Sequence, residues 1–128
     1  MRNRILVDTT IWIEFFRARS KIGDHLEMLL MGNAVWTCGV VMFEVLQGIK
    51  SESEKNKILG VLASLPYVEM TKKLWHRAAD LSVLLKKDGV NLPLSDILIA
   101  ALATENNLSI YTLDNHFKQI PNLKLYKE

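Results

Sequence analysis

The run Ile5-Leu6-Val7-Asp8-Thr9-Thr10 constrains this chain more than any other stretch. Consecutive branched apolar residues read as a strand buried on both faces, the kind found at the centre of a parallel sheet. Asp8 then leaves that sheet at its carboxyl edge, where the loops of open α/β folds form a ligand crevice. Alone, Asp8 has a second reading, as the N-cap of a helix that begins near Thr10. What separates the two is whether other carboxylates occupy places that local structure does not require.

The chain continues as an alternation of helical and extended patterns. Ile11, Trp12, Phe15 and Phe16 mark one face of a short helix, broken by the polar cluster at residues 17–21. Leu26, Leu29 and Leu30, with Ile22, repeat at helical spacing up to Gly32-Asn33, a common helix ending. Residues 34–38 read as a second strand, and Gly39 turns the chain into a helix over 40–49 that is apolar nearly all round, with Glu44 its one central charge. Residues 51–64 carry Ile58, Leu59 and Leu62 on one side and charges on the other, as a surface helix does, and Pro66 stops them. Residues 67–70 form a short strand, and Leu74, Ala78, Leu81 and Leu85 a helix closed by Gly89. Residues 94–103 form a second nearly all-apolar helix with Asp96 in its first turn. Residues 108–112 are a strand running into Asp114, residues 117–120 a helical turn, and residues 123–126 a last edge strand. Strands alternating with helices imply parallel βαβ units, hence an α/β three-layer sandwich with a mainly parallel central sheet.

A length of 128 residues suits one domain over the whole chain, with a real core. Sixteen basic and 14 acidic side chains leave a net charge of +2, which neither announces nor excludes a nucleic-acid binder. A single cysteine, Cys38, forms no internal disulfide, so a reducing, cytoplasmic compartment is the expectation. No basic-then-apolar leader opens the chain, and no apolar run approaches the roughly 18 residues of a membrane span, so a soluble protein starting at Met1 is expected.

Four carboxylates sit where an apolar stretch begins, ends or is interrupted: Asp8, Glu44, Asp96 and Asp114. Asp8 and Asp114 both follow strand-like runs and so emerge at the same sheet edge. Each has a bland alternative. Asp96 suits a helix start by the macrodipole, Asp114 suits a turn, and Glu44 suits a partnership with a buried base, although residues 39–49 contain none. Buried acids are rare unless paired or liganded. Two unit charges about 4 Å apart at an effective dielectric near 20 repel by roughly 4 kcal/mol, so clustered carboxylates need a cation. Oxygen ligation with retained waters suits magnesium or manganese.

These residues carry a resemblance. Val7-Asp8-Thr9-Thr10-Ile11-Trp12, an isolated Glu44 in an early apolar helix, Pro93-x-Ser95-Asp96-x-x-Ile99-Ala100, and Thr112-x-Asp114-x-His116-Phe117 together resemble the PIN-domain ribonucleases. More narrowly, they resemble the VapC-type toxins of bacterial toxin–antitoxin modules. The likeness spans the chain in order. It implies that the acidic quartet, catalytic and metal-holding, falls on Asp8, Glu44, Asp96 and Asp114, with Thr10 and Thr112 as hydroxyl-bearing supporting positions. His116 stands where many relatives carry a further acid, a departure that bears on how firmly a second metal is held.

The activity so implied is hydrolysis of RNA phosphodiester bonds with a Mg2+ or Mn2+ cofactor, by a homodimeric toxin masked by a small antitoxin protein, with no membrane partner. Covalent catalysis is disfavoured, because Cys38 lies in a strand with no histidine near it in sequence. His25 and His76 read as surface or satisfied residues, and His116 as a substrate contact or the cap of the final turn. Arg17, Arg19 and Lys21 follow the helix beside Asp8, where they flank the crevice or form a solvated face. Trp12, Phe15 and Phe16 read as core, part of whose stripe is available to the antitoxin. Two other readings compete: a PIN-like RNA-processing nuclease without an antitoxin, and a non-catalytic acidic metal-binding module resembling a phosphate receiver. Receivers usually offer a lysine near the end of a late strand, and residues 109–113 contain none.

Overall fold

The computed structural model describes residues 3–17 and 20–128. In chain order they form β1 (Ile5–Val7), α1 (Thr9–Phe16), α2 (Lys21–Met31), β2 (Val35–Cys38), α3 (Gly39–Gln47), α4 (Glu52–Ala63), β3 (Tyr67–Val68), α5 (Lys72–Lys87), α6 (Leu94–Glu105), β4 (Ser109–Tyr111) and a 3-10 turn (Asn115–Gln119). Side-chain oxygens start three of the helices. Ser20 accepts from Gly23 N, Ser51 from Glu54 N and Thr71 from Leu74 N, each satisfying an amide that the helix leaves unpaired. Asn33, Gly89 and Asn107 end α2, α5 and α6 in the left-handed region, at φ of 57°, 75° and 55°. Glycine and asparagine adopt that conformation most easily, which is why these residues mark the stops.

The four strands are all parallel, in the order β3-β2-β1-β4. β1 is central and its Ile5, Leu6 and Val7 are wholly buried, as the branched apolar run predicts. The first two crossovers, β1 to β2 and β2 to β3, step one way along the sheet, and β3 to β4 returns past β1 to its other side. Right-handed crossovers therefore put the helices of the first two connections and of the last on opposite faces, giving three layers. The gap between β1 and β4 is where the order reverses, and the crevice beyond the carboxyl ends of such a pair is where open α/β sheets bind ligands.

α6 supplies the centre of the core, with every residue from Ile97 to Ala103 buried. α3 does not match the expectation of a helix buried nearly all round. It buries Val41 and Val45, while Phe43 is 65% exposed and Glu44 only half-buried. Its composition is apolar on every side, but α1, α4 and α6 pack against only part of its circumference. The edge strand expected at residues 123–126 is also corrected. A single bridge joins Leu125 to Ile110 in parallel, flanked by Ile110 N donating to Lys124 O at 2.9 Å and Tyr126 N donating to Ile110 O at 2.8 Å. Side chains hold the rest of this segment. His25 Nε2 and the Tyr126 hydroxyl are 2.7 Å apart with their rings stacked, and the Tyr111 hydroxyl donates to Glu128. Pro121 and Asn122, the latter at φ 63°, precede the bridge and keep a regular ladder from starting sooner.

Candidate active site

The register between β1 and β4 builds the centre of the site. Val7 pairs with Tyr111, so the next step along both strands sets Asp8 beside Thr112. The backbone is tied there by Asp8 N donating to Tyr111 O at 2.9 Å. Asp8 is 4% exposed, and its Oδ2 accepts two hydroxyls, from Thr10 at 3.0 Å and from Thr112 at 2.8 Å. Asp8 occupies the N-cap position of α1, yet its side chain makes no capping bond. The bland reading of Asp8 therefore does not account for its carboxylate, which is held by hydroxyls reaching from two elements.

Those hydroxyls also fix the loop after β4. Leu113 N donates to Thr10 Oγ1 at 3.1 Å and Asp114 N to Thr112 Oγ1 at 2.9 Å. The loop thus presents Asp114, whose Oδ1 accepts from His116 N at 2.9 Å and so starts the 3-10 turn. The turn is capped by Asp114 rather than by His116, because the acceptor must precede the first free amide. His116 Nδ1 lies 2.9 Å from Asp96 Oδ2 and 3.2 Å from Asp114 Oδ1. Asp96 reaches this point from the first turn of α6, where it is 8% exposed. Asp96, Asp114 and His116 each offer a ligand atom, all within 4.8 Å of one another.

Glu44 joins from α3 through Thr9. Its Oε1 accepts from Thr9 Oγ1 at 3.0 Å, and Thr9 follows Asp8 directly. It borders a hollow of about 400 Å³ between α1, α3 and α4, lined by Ile13, Phe16, Val45, Ile49, Arg17 and Lys50 among others. Arg17 and Lys50 are the bases that local sequence did not supply to Glu44, but neither pairs with it, and Arg17 instead meets Glu14 at 3.7 Å. The structure thus gathers all four predicted carboxylates at one sheet edge, and among the described residues no lysine or arginine pairs with any of them. Lys21 is exposed, and Arg19 lies outside the described residues.

The electrostatics follow from this crowding. Burial pushes the Asp96 carboxyl above the ordinary range; the His116 hydrogen bond pulls it down, and the charges of Asp114 and Asp8 push it up again. His116 is raised above its ordinary value by its bond to Asp96 and by the charges of Asp114 and Asp96, partly offset by desolvation. Burial also lifts the Cys38 thiol, with Asp8 and Glu44 adding to the effect, so this cysteine stays protonated and inert.

Trp12 is wholly buried, stacked on Phe16 with centroids 5.8 Å apart, whereas Phe16 is half-buried and faces the hollow. His25 is satisfied by Tyr126, and His76 is exposed on α5. Two features of this centre are not visible along the sequence. Thr9 follows Asp8 directly but has no pattern of its own that points to Glu44, and the bridging place of His116 between two acids depends on α6 meeting the β4 loop. The motif spacing of Asp114 and His116 was the one available signal.

The fold and the site together define a parallel α/β protein with an acidic centre outside its topological switch point. The sequence profile of the PIN domain matches residues 5–123, and the chain belongs to the PIN domain family. It is 28% identical over 107 residues to "Ribonuclease VapC2" of Rickettsia felis, covering 80% of each chain. It is 27% identical over 124 residues to "Ribonuclease VapC11" of Mycobacterium tuberculosis, covering 93% of this chain and 92% of that protein. Among solved structures it is similar to VapBC2 from Rickettsia felis bound to a DNA fragment from their promoter. There the TM-score is 0.82 and the identity 25%, over 95% of this chain and 96% of the other. VapBC from Salmonella typhimurium shares the fold with a TM-score of 0.83 at 17% identity, over 97% of each chain.

Proposed function

We propose that this chain is a metal-dependent endoribonuclease, the toxin of a toxin–antitoxin pair, working in the cytoplasm. The observation that carries the reading is Asp8: a buried carboxylate held by two hydroxyls, beside further acids, with no lysine or arginine among the described residues pairing with any of them. The names of the VapC relatives and the family profile support the same activity.

The donor set fits a hard divalent cation. Asp8, Asp96 and Asp114 offer carboxylate oxygens, and the Thr10 and Thr112 hydroxyls occupy Oδ2 of Asp8 and leave Oδ1 without a side-chain hydrogen bond among the described residues. Asp8, Asp96 and Asp114 would hold Mg2+ or Mn2+, with Glu44 completing the acidic ring. Such a cation, when bound, polarises a phosphoryl oxygen, lowers the pKa of water and stabilises the leaving oxygen. The protein's own part is positional. Thr10 and Thr112 orient Asp8, and the Thr9 hydroxyl fixes one oxygen of Glu44 so that the other faces water or substrate. Arg17 and Lys50, lining the hollow beside Glu44, and exposed Lys21 give backbone contacts to RNA. A nucleophilic route through Cys38 is set aside because its thiol is buried and its pKa raised.

The apolar hollow between α1, α3 and α4 suits an amphipathic antitoxin segment that ends against Glu44. A small gene directly upstream encoding such a segment separates this reading from an RNA-processing nuclease. A homodimer is part of the same proposal, supported by Phe43 and Leu94, which are 65% and 67% exposed on α3 and α6. A monomer mass in solution at micromolar concentration removes that part.

The direct test incubates the purified protein with structured RNAs and Mg2+ or Mn2+, then adds excess chelator. Internal cuts with metal and none with chelator are expected. Cutting that continues at the same rate in chelator excludes this centre as the nuclease site.

A further inference from the structure

One feature of the acidic centre goes unused by a ring of oxygens alone. His116 Nδ1 stands 2.9 Å from Asp96 Oδ2 and 3.2 Å from Asp114 Oδ1, and those three atoms lie within 4.8 Å of one another. A single N–H directs its proton well toward one acceptor, so one proton serves this pair of carboxylates poorly. A divalent cation with six ligands at about 2.1 Å sets neighbouring donor atoms about 3 Å apart, close to the two separations observed here. The turn that carries the imidazole is also held in place. Asp114 Oδ1 accepts the backbone N–H of His116 at 2.9 Å, and the same turn buries the adjoining Phe117, which is 1% exposed.

The geometry points to His116 as a nitrogen ligand of this centre, sharing a cation with Asp96 and Asp114, and thereby shifting its preference from magnesium toward manganese. The inference rests on the metal-dependent reading above and adds the identity of the donor that sets selectivity. Magnesium takes oxygen donors almost to the exclusion of nitrogen, whereas imidazole is an ordinary ligand of the transition ions. An acid at this position would give an all-oxygen set; this chain places a histidine there instead.

The test loads the intact protein with Mn2+ alone and reads the electron spin echo of the bound ion for coupling to an imidazole nitrogen, with affinity taken from a Mn2+ titration. The wild type is expected to show the coupling. His116→Ala, at a side chain 46% exposed and so tolerant of truncation, is expected to lose it and to bind Mn2+ about tenfold or more weakly, since even the loss of a ligand's hydrogen-bond partner costs that much. His76→Ala, on the exposed side of α5, is expected to keep both signal and affinity. His116→Asp is expected to bind without nitrogen coupling and to favour Mg2+ relative to the wild type. Wild-type Mn2+ binding without nitrogen coupling, or coupling that survives His116→Ala, overturns the ligand assignment and leaves the acidic centre standing. A wild type that binds neither Mn2+ nor Mg2+ overturns the metal-dependent reading as well.

Discussion

Replacing Asp8 with alanine is expected to reduce RNA cutting by about 10³-fold or more, equivalent to about 4 kcal/mol of lost transition-state stabilisation. The size follows from where the residue sits. Asp8 leaves the central strand at the reversal of the sheet, and two threonine hydroxyls from separate elements converge on its Oδ2. Removing the carboxylate therefore takes away a proposed metal ligand and the acceptor around which the β4 loop is ordered. Asp8→Asn separates these effects. Its amide oxygen still accepts a hydroxyl, so the loop retains part of its anchorage while the charge is gone. Both variants are expected to remain folded by circular dichroism and to fail in cleavage assays with Mg2+. Undiminished cutting by Asp8→Asn would show that the charge of Asp8 takes no part in the reaction.

Asp96→Asn is expected to abolish growth arrest on expression while leaving the metal-free protein at least as stable as the wild type. The two effects have a common origin. Asp96 is buried at the start of α6 and faces Asp114 and Asp8, so its ionised form is disfavoured in the folded chain. A carboxyl with a raised folded-state pKa binds its proton more tightly folded than unfolded, so the stability it contributes declines as pH climbs above the ordinary value of 3.8. His116 acts in the same direction. Its folded pKa is raised, and its contribution is lost as pH rises from 6.5 through the folded value. Urea midpoints of the metal-free wild type are therefore expected to fall between pH 6 and 8, about the histidine range, and to fall less steeply in Asp96→Asn. Added Mg2+ is expected to raise the wild-type midpoint and to leave that of the variant nearly unchanged, because a ligand stabilises the state that binds it. Equal arrest of growth by both proteins counts against Asp96 as part of the toxic activity. A midpoint that rises with pH in the wild type contradicts the electrostatic account.

Much of this architecture was legible along the chain because its causes are local. The branched run at Ile5, Leu6 and Val7 belongs on a strand buried on both faces, and it became the centre of a parallel sheet. Helix stops at Asn33 and Gly89 followed from the left-handed conformation that such residues tolerate. The unbroken apolar stretch in α6 similarly announced the core. Asp8, Glu44, Asp96 and Asp114 stand out as candidates because charges are conspicuous against apolar runs, and the resemblance to PIN-domain motifs groups them as a set.

What the sequence by itself determined, then, was which segments fold as strands and helices and which acids stand out within them. Tertiary structure decided what those acids touch. That Oδ2 of Asp8 takes hydroxyls from both Thr10 and Thr112 depends on the register of β1 against β4, a pairing across more than a hundred residues. That Glu44 borders an open hollow instead of a closed core depends on how little of α3 its neighbours cover, which apolar composition does not encode. The final segment likewise made one bridge instead of a strand, because strand pairing is a property of two chains of backbone while propensity belongs to one. His116 carries the same lesson. Its spacing from Asp114 was visible, but its place between Asp114 and Asp96 was created only when α6 packed beside the loop after β4.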